Sequence, residues 1–263
     1  MISIILPARN EPFLQKTIDD LLLNAEGEIE IIAVLDGYWP SPQLKDDPRV
    51  VVLHRGASRG MRASINSAAA IAKGEFLLKL DAHCMVGKGF DTILAAECED
   101  NWVVVPRRKR LDAENWCLVE DGRPDIDYMY LSAEMKGELW EAKNRDPKLK
   151  EVLIDDLMSA QGSCWFMKKS YFYELELMDE TNYGSFWNEF QEVGLKCWLS
   201  GGRVVVNKKT WYAHLHKKSR GYNLDTVPPK EYLDKWKTMG EAWHKQTLPL
   251  SWLYEKFNPP VHV

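Results

Sequence analysis

The sequence predicts an α/β fold, with a mostly parallel central sheet flanked by helices. Three observations predict it. In the N-terminal half, short apolar runs of strand length alternate with segments of helical period, in the order β-α-β-β-α-β. Several of those runs stop abruptly in polar residues, at Arg9-Asn10-Glu11, Asp36-Gly37 and Asp81-Ala82-His83. The chain has 263 residues, 45% of them hydrophobic, enough to bury a full core in one large domain or a domain with an appended subdomain.

Ile2–Leu6 is a buried-type strand, closed by Pro7 and the turn Ala8-Arg9-Asn10-Glu11-Pro12. That turn is not the G-x-G-x-x-G of a dinucleotide fold, whose glycines let the backbone approach a pyrophosphate. From Phe13 to Ala25 the apolar residues Phe13, Leu14, Ile18, Leu21, Leu22 and Ala25 recur at helical spacing. Glu28–Leu35, Val50–Leu53 and Glu75–Leu80 read as strands, and Ser58–Lys73 as an Ala-rich helix capped by Ser58. Their polar ends fall on one rim of the sheet, where open α/β sheets bind ligands. Arg59 and Arg62 begin the Ala-rich helix, a placement that suits an anionic nucleotide or a solvated face.

Asp81 and His83 leave their strand together, and with one residue between them both side chains can turn to one side. Carboxylate plus neutral imidazole suits a divalent metal of intermediate hardness, Mn²⁺ more than Ca²⁺. A turn acid followed by a surface histidine gives the same pattern. Gly87–Glu99 reads as a helix, and Trp102–Val105 as a strand running into Pro106-Arg107-Arg108-Lys109-Arg110, a solvated loop or a seat for an anionic partner. Residues 106–157 show no sustained period and read as an irregular insertion, partly helical near Leu131–Lys143.

Gln161–Met167 reads as a strand returning to the core, with Gly162 permitting close backbone approach, and Lys168–Leu175 as a short helix. Ser185 can cap a helix that ends at Gly201-Gly202 and carries Glu189 and Glu192 on one face. Arg203–Val206 and Thr210–His216 are strands, and in the second an extended backbone points His214 and His216 the same way. Either histidine could complete a metal site with Asp81 and His83. Lys217-Lys218-Ser219-Arg220-Gly221-Tyr222 is basic and carries small residues, as a lid over a diphosphate needs. Pro228–Lys245 reads as a helix, with a Pro-rich tail to Val263 along the surface.

A net charge of −5 argues against a general nucleic-acid coat while leaving room for a local basic groove. The opening residues MISIILPARN have no basic n-region, and no integral membrane segment is expected. Cys84, Cys98, Cys117, Cys164 and Cys197 are scattered without a C-x-x-C pair, which suggests neither a disulfide framework nor a zinc knuckle. A reducing cytoplasm is the expected compartment.

From Ile2 to about Tyr222 the chain resembles a GT-A glycosyltransferase of the family-2 type, most strongly the catalytic domain of the polypeptide N-acetylgalactosaminyltransferases. Leu111–Leu157 matches poorly. Leu80-Asp81-Ala82-His83-Cys84 resembles the L-D-S-H-C metal motif, and Ala8-Arg9-Asn10-Glu11 the F-H-N-E turn that meets the uridine. Gln161–Phe166 stands where that family has A-G-G-L-F, and Phe186–Gly202 resembles W-G-G-E-N-x-E…W-x-C-G-G. Ala213-His214-Leu215-His216-Lys217 resembles G-H-V-F-R, and Tyr222 falls at the lid tyrosine.

The resemblance implies a GT-A (nucleotide-diphospho-sugar transferase) domain over residues 1–225, in which 106–157 faces the acceptor, followed by a helix and tail over 226–263. It implies metal-dependent transfer of a hexose or N-acetylhexosamine from a UDP-sugar to an acceptor hydroxyl, with Mn²⁺ or Mg²⁺ held by Asp81, His83 and His214. Donor contacts are expected from Pro7, Arg9, Glu11, Asp36, Arg59, Arg62, Asp81, Gly162, Lys217, Arg220 and Tyr222, and catalytic roles from Glu189 and Glu192. Phe190 stands where inverting relatives usually carry an aspartate base, so retention of configuration is slightly favoured. The acceptor is a glycan, a protein or a hydroxylated base in modified DNA. The alternatives are a sugar-phosphate nucleotidyltransferase, for which PARNEP is a poor first loop, and a non-catalytic sugar-nucleotide or glycan-binding module.

Overall fold

The computed structural model describes residues 1–217, 222 and 230–260. Its N-terminal half comprises β1 (Ile2–Ala8), α1 (Leu14–Asn24), β2 (Ile29–Asp36), β3 (Val50–Arg55), α2 (Met61–Ile71) and β4 (Phe76–Leu80). β2 and β4 flank β1, β3 lies outside β2, and all these pairings are parallel. β2 is buried along its whole length, which is why its sequence is almost continuously apolar. Alternate strand residues feed two layers. Ile4, Leu6, Ile31 and Leu78 pack under Leu14, Ile18 and Leu21 of α1, while Ile5, Ile32 and Leu77 pack under Ile65, Ala68 and Ala69 of α2.

After β4 come β5 (Cys84–Val86), α3 (Phe90–Ala96), β6 (Trp102–Asp112), β7 (Cys117–Leu118), β8 (Met129–Leu131) and β9 (Gly137–Leu139). They are followed by α4 (Glu141–Arg145), α5 (Pro147–Glu151), β10 (Ile154–Asp156), β11 (Cys164–Lys168) and α6 (Lys169–Glu174). The last elements are α7 (Glu180–Tyr183), α8 (Glu189–Leu199), β12 (Arg203–His214), α9 (Lys230–Asp234) and α10 (Leu250–Phe257). The sheet runs β10-β12-β6-β11-β4-β1-β2-β3 and is mixed: β11 is antiparallel to both β4 and β6, whereas β6 and β12 are parallel. Among the described residues no helix is long and apolar enough to cross a membrane.

Several local expectations change. α2 starts at Met61, capped by Gly60 at φ 92, because Ser58 donates its hydroxyl to Asp36 Oδ2 at 2.6 Å instead of capping the helix. A side chain at position 60 would also strike Ser185. Ser185 does not begin α8 either, since that helix starts at Glu189 behind Asn188; its carbonyl instead accepts the Arg62 N–H in the first turn of α2 at 3.2 Å. The basic run Arg107–Arg110 is strand, not loop: Arg107 lies between Asp125 and Asp127, and Lys109 beside Asp125. Residues 129–139 form a hairpin where a helix was expected, so the insertion carries more regular structure than its composition suggests. The two expected strands around Arg203 and Thr210 are one, bulged between Asn207 and Trp211. The C-terminal segment is not a surface tail, because Leu250, Leu253 and Phe257 of α10 enter the same apolar cluster as Trp198 and Trp236.

Candidate active site

At the carboxyl end of β4 the chain turns through Asp81-Ala82-His83 into β5, and β5 pairs antiparallel with the end of β12 in the register His214↔Cys84. Leu215 N–H donates to the His83 carbonyl at 3.2 Å, fixing that register at its last step. The consequence is a convergence of ligand atoms. His214 Nε2 lies 3.1 Å from His83 Nε2 and 3.2 Å from Asp81 Oδ2, and His83 Nε2 lies 3.9 Å from Asp81 Oδ2. Two imidazole nitrogens and a carboxylate oxygen within 4.8 Å of one another are a donor set that fits Mn²⁺ or a similar divalent ion. His216, the other candidate, is exposed and lies outside the trio.

The groups behind these three side chains set their chemistry. Glu11 is buried and its Oε2 lies 2.8 Å from His83 Nδ1, which leaves His83 Nε2 facing the trio. Burial opposes ionisation of Glu11, but His83 and Lys217 hold its carboxyl below the usual range. Burial pushes His214 down to about 4 against the pull of Asp81, which favours the neutral imidazole, the form that can bind a metal. Burial also disfavours the charged form of Asp81, yet Lys79 and then His214 hold its carboxyl well below the ordinary value.

The trio opens into a cavity of about 480 Å³, lined also by Pro7, Arg9, Glu11, Asp36, Arg59, Lys217 and Tyr222. Arg9 places its guanidinium 4.4 Å from the Tyr222 ring centre. Lys217 sits on Glu11, at the mouth of the trio. Asp36 accepts from Ser58 Oγ at 2.6 Å, Arg59 N–H at 2.9 Å, Gly60 N–H at 2.8 Å and Arg55 at 3.3 Å, so its carboxylate shapes the wall on which Arg59 stands. Arg220 lies outside the described residues.

Other expected site residues stand elsewhere. Arg62 is fully buried, its guanidinium on Glu192, on the Trp187 carbonyl at 2.6 Å and against the Tyr183 ring at 4.6 Å. Glu192 is likewise fully buried and also pairs with Lys196 at 2.7 Å. Neither lines the cavity; an arginine among apolar residues needs an acid, and each fills that need for the other. Glu189 is buried behind the cavity wall, accepting from Trp165 Nε1 at 2.7 Å and from Lys79 at 3.1 Å. Burial raises its pKa and Lys79 opposes that. Gly162 leaves room for this carboxylate, since a Cβ there would lie 2.7 Å from Glu189 Oε2.

Lys79 is one charged position in an otherwise apolar strand, and it shares a face with Asp81 two residues on; a lysine at that spacing before a strand-end acid is the sequence signal for its role.

The fold is that of a GT-A glycosyltransferase. Residues 3–176 match the model of glycosyl transferase family 2, and the chain belongs to that family. It is 32% identical over 108 residues to "Uncharacterized glycosyltransferase EpsJ" of Bacillus subtilis (strain 168), a match over 38% of this chain and 31% of EpsJ. Among solved structures it superimposes on GalNAc-T7 with UDP, GalNAc and Mn²⁺, at TM-score 0.73, 16% identity and coverage of 98% of this chain and 55% of that one. It also superimposes on Staphylococcus aureus TarS 1-349 in complex with UDP-GlcNAc, at TM-score 0.55, 14% identity and coverage of 89% and 64%. The chain thus spans a part of each of these proteins.

Proposed function

We propose that this glycosyltransferase moves a hexose or N-acetylhexosamine from a UDP-sugar to an acceptor hydroxyl with the help of a divalent metal. One observation carries the reading: Asp81 Oδ2, His83 Nε2 and His214 Nε2 converge at the mouth of a cavity large enough for a nucleotide sugar. The similarity to structures bound to UDP and UDP-GlcNAc supports the donor class. Mn²⁺ or Mg²⁺, held by these three residues, would supply Lewis-acid neutralisation of the departing diphosphate. The chain's own residues do the rest. Lys217 is placed to exchange Glu11 for a diphosphate oxygen, Arg59 adds positive charge on the facing wall, and Arg9 with Tyr222 offers a flat platform for the base.

The carboxylates that line the cavity among the described residues are Glu11, Asp36 and Asp81, and each is already engaged. None is unengaged and positioned to take a proton from an attacking hydroxyl. That favours retention: the sugar's bond to the diphosphate breaks, the acceptor oxygen bonds on the same face, and its proton passes to the departing phosphate oxygen. Residues 1–225 form the catalytic unit in this reading, with 106–157 on the acceptor side, and of the segment 226–263 the described residues 230–260 pack behind it. The acceptor is a glycan, a protein hydroxyl or a hydroxylated base. The pairing of Arg107 and Lys109 with Asp125 and Asp127 leaves less free positive charge for DNA than the sequence suggested. Five unpaired cysteines suit a reducing cytoplasm.

The test is UDP release from a panel of UDP-sugars with Mn²⁺, with EDTA and His214→Ala as controls. Release that needs the metal and is lost in the variant is the expected result; no release with any nucleotide sugar overturns the proposal.

A further inference from the structure

Lys79 is a fully buried ammonium in an otherwise apolar strand. Its three N–H donors are all used: on Asp81 Oδ1 at 2.6 Å, on the Glu189 carboxylate at 3.1 Å and on the Gly162 carbonyl. The two carboxylates belong to different parts of the site. Asp81 is a member of the convergent trio, whereas Glu189 stands behind the wall, anchored at Oε1 by the Trp165 indole N–H at 2.7 Å. Gly162 closes the arrangement, because any side chain there would drive Glu189 away.

We propose that Lys79 is a positioning residue that sets how the trio meets a divalent cation, and that Glu189 acts on the cation through Lys79. The inference rests on the metal-dependent reading above. With Oδ1 held by Lys79, Asp81 presents Oδ2 alone, the oxygen that faces His83 and His214. The fixed ammonium also weakens cation binding by like-charge repulsion, and Glu189 offsets part of that repulsion from its far side. Affinity is therefore held at an intermediate value by a buried charge pair that touches no substrate.

The two members of the pair have opposite signs, so their removal has opposite effects. Mn²⁺ affinity is measured by isothermal titration calorimetry on the full chain at pH 8, without donor. Lys79→Met is expected to bind Mn²⁺ about tenfold more tightly than the parent, because the repelling charge is gone, and Glu189→Gln about tenfold more weakly, although Glu189 is not in the trio. General disruption of the site would weaken both. Shifts in the same direction, or unchanged affinity in both variants, overturn the proposal. If Lys79→Met does not fold, Lys79→Gln, which removes the charge but keeps a hydrogen-bond donor, takes its place: tighter binding supports the proposal, and unchanged or weaker binding overturns it. A parent protein that binds no Mn²⁺ overturns the metal reading itself, an outcome distinct from a parent that binds and variants that do not shift.

Discussion

His83 and His214 face each other Nε2 to Nε2 at 3.1 Å, from two segments separated by 131 positions in the chain. Neutral imidazoles at this distance can share one hydrogen.

Burial sets His214 near 4, below its unfolded value of 6.5. The unfolded chain therefore takes up the extra proton first as pH falls, and stability drops through the window from about 6.5 towards 4. We expect the metal-free protein to lose on the order of 1–2 kcal/mol from this residue between pH 7 and 5. Urea unfolding at several pH values measures it, and His214→Leu should flatten the slope. A slope as steep in the variant would assign the loss to other groups.

Glu11 holds His83 by Nδ1 and Lys217 by its ammonium. Glu11→Ala should lower Mn²⁺ affinity by about 10- to 100-fold, because His83 loses the acceptor that orients its ring. Glu11→Gln keeps an acceptor and should recover part of that loss. Calorimetric titration of both variants checks the order parent, Gln, Ala.

Glu192→Ala should cost about 3–5 kcal/mol of stability, since it strands the fully buried Arg62. Denaturant unfolding reads this directly. A cost near zero would show that the pair is not the structural element its burial implies.

Gly162→Ala places a methyl group where Glu189 Oε2 stands, at 2.7 Å. Glu189 must then leave Trp165 or Lys79. UDP release should fall by tenfold or more, on the order of the 1–3 kcal/mol that overpacking costs, and Trp165 fluorescence should change. Parental turnover in this variant would mean that the site tolerates Glu189 elsewhere.

The sheet rim and the Asp81–His83 pair were legible in the sequence because they depend on local facts, apolar runs that stop at acids and an Asp and a His two positions apart, whereas the residues alone left His214 and His216 both open and only the family resemblance chose His214. What was hidden is what side chains decide at long range. Arg62 and Glu192 each stand where a ligand-facing residue would, and only their meeting across 130 positions shows that they neutralise one another. Arg107–Arg110 looked like loop because charge is uncommon in central strands, yet Asp125 and Asp127 supply the opposite charge beside it. Lys79 was hidden for a related reason. A lysine in an apolar strand is costly unless acids await it, and here one acid is two residues away and the other more than a hundred.

The pairing of β5 with the end of β12 also governs order in time. A chain that emerges from the ribosome with its N-terminal half already folded holds Asp81 and His83 without their third partner. Only when β12 has been made and zipped alongside β6 does His214 arrive. A truncated copy that lacks β12 therefore lacks the complete trio, however well its N-terminal half folds.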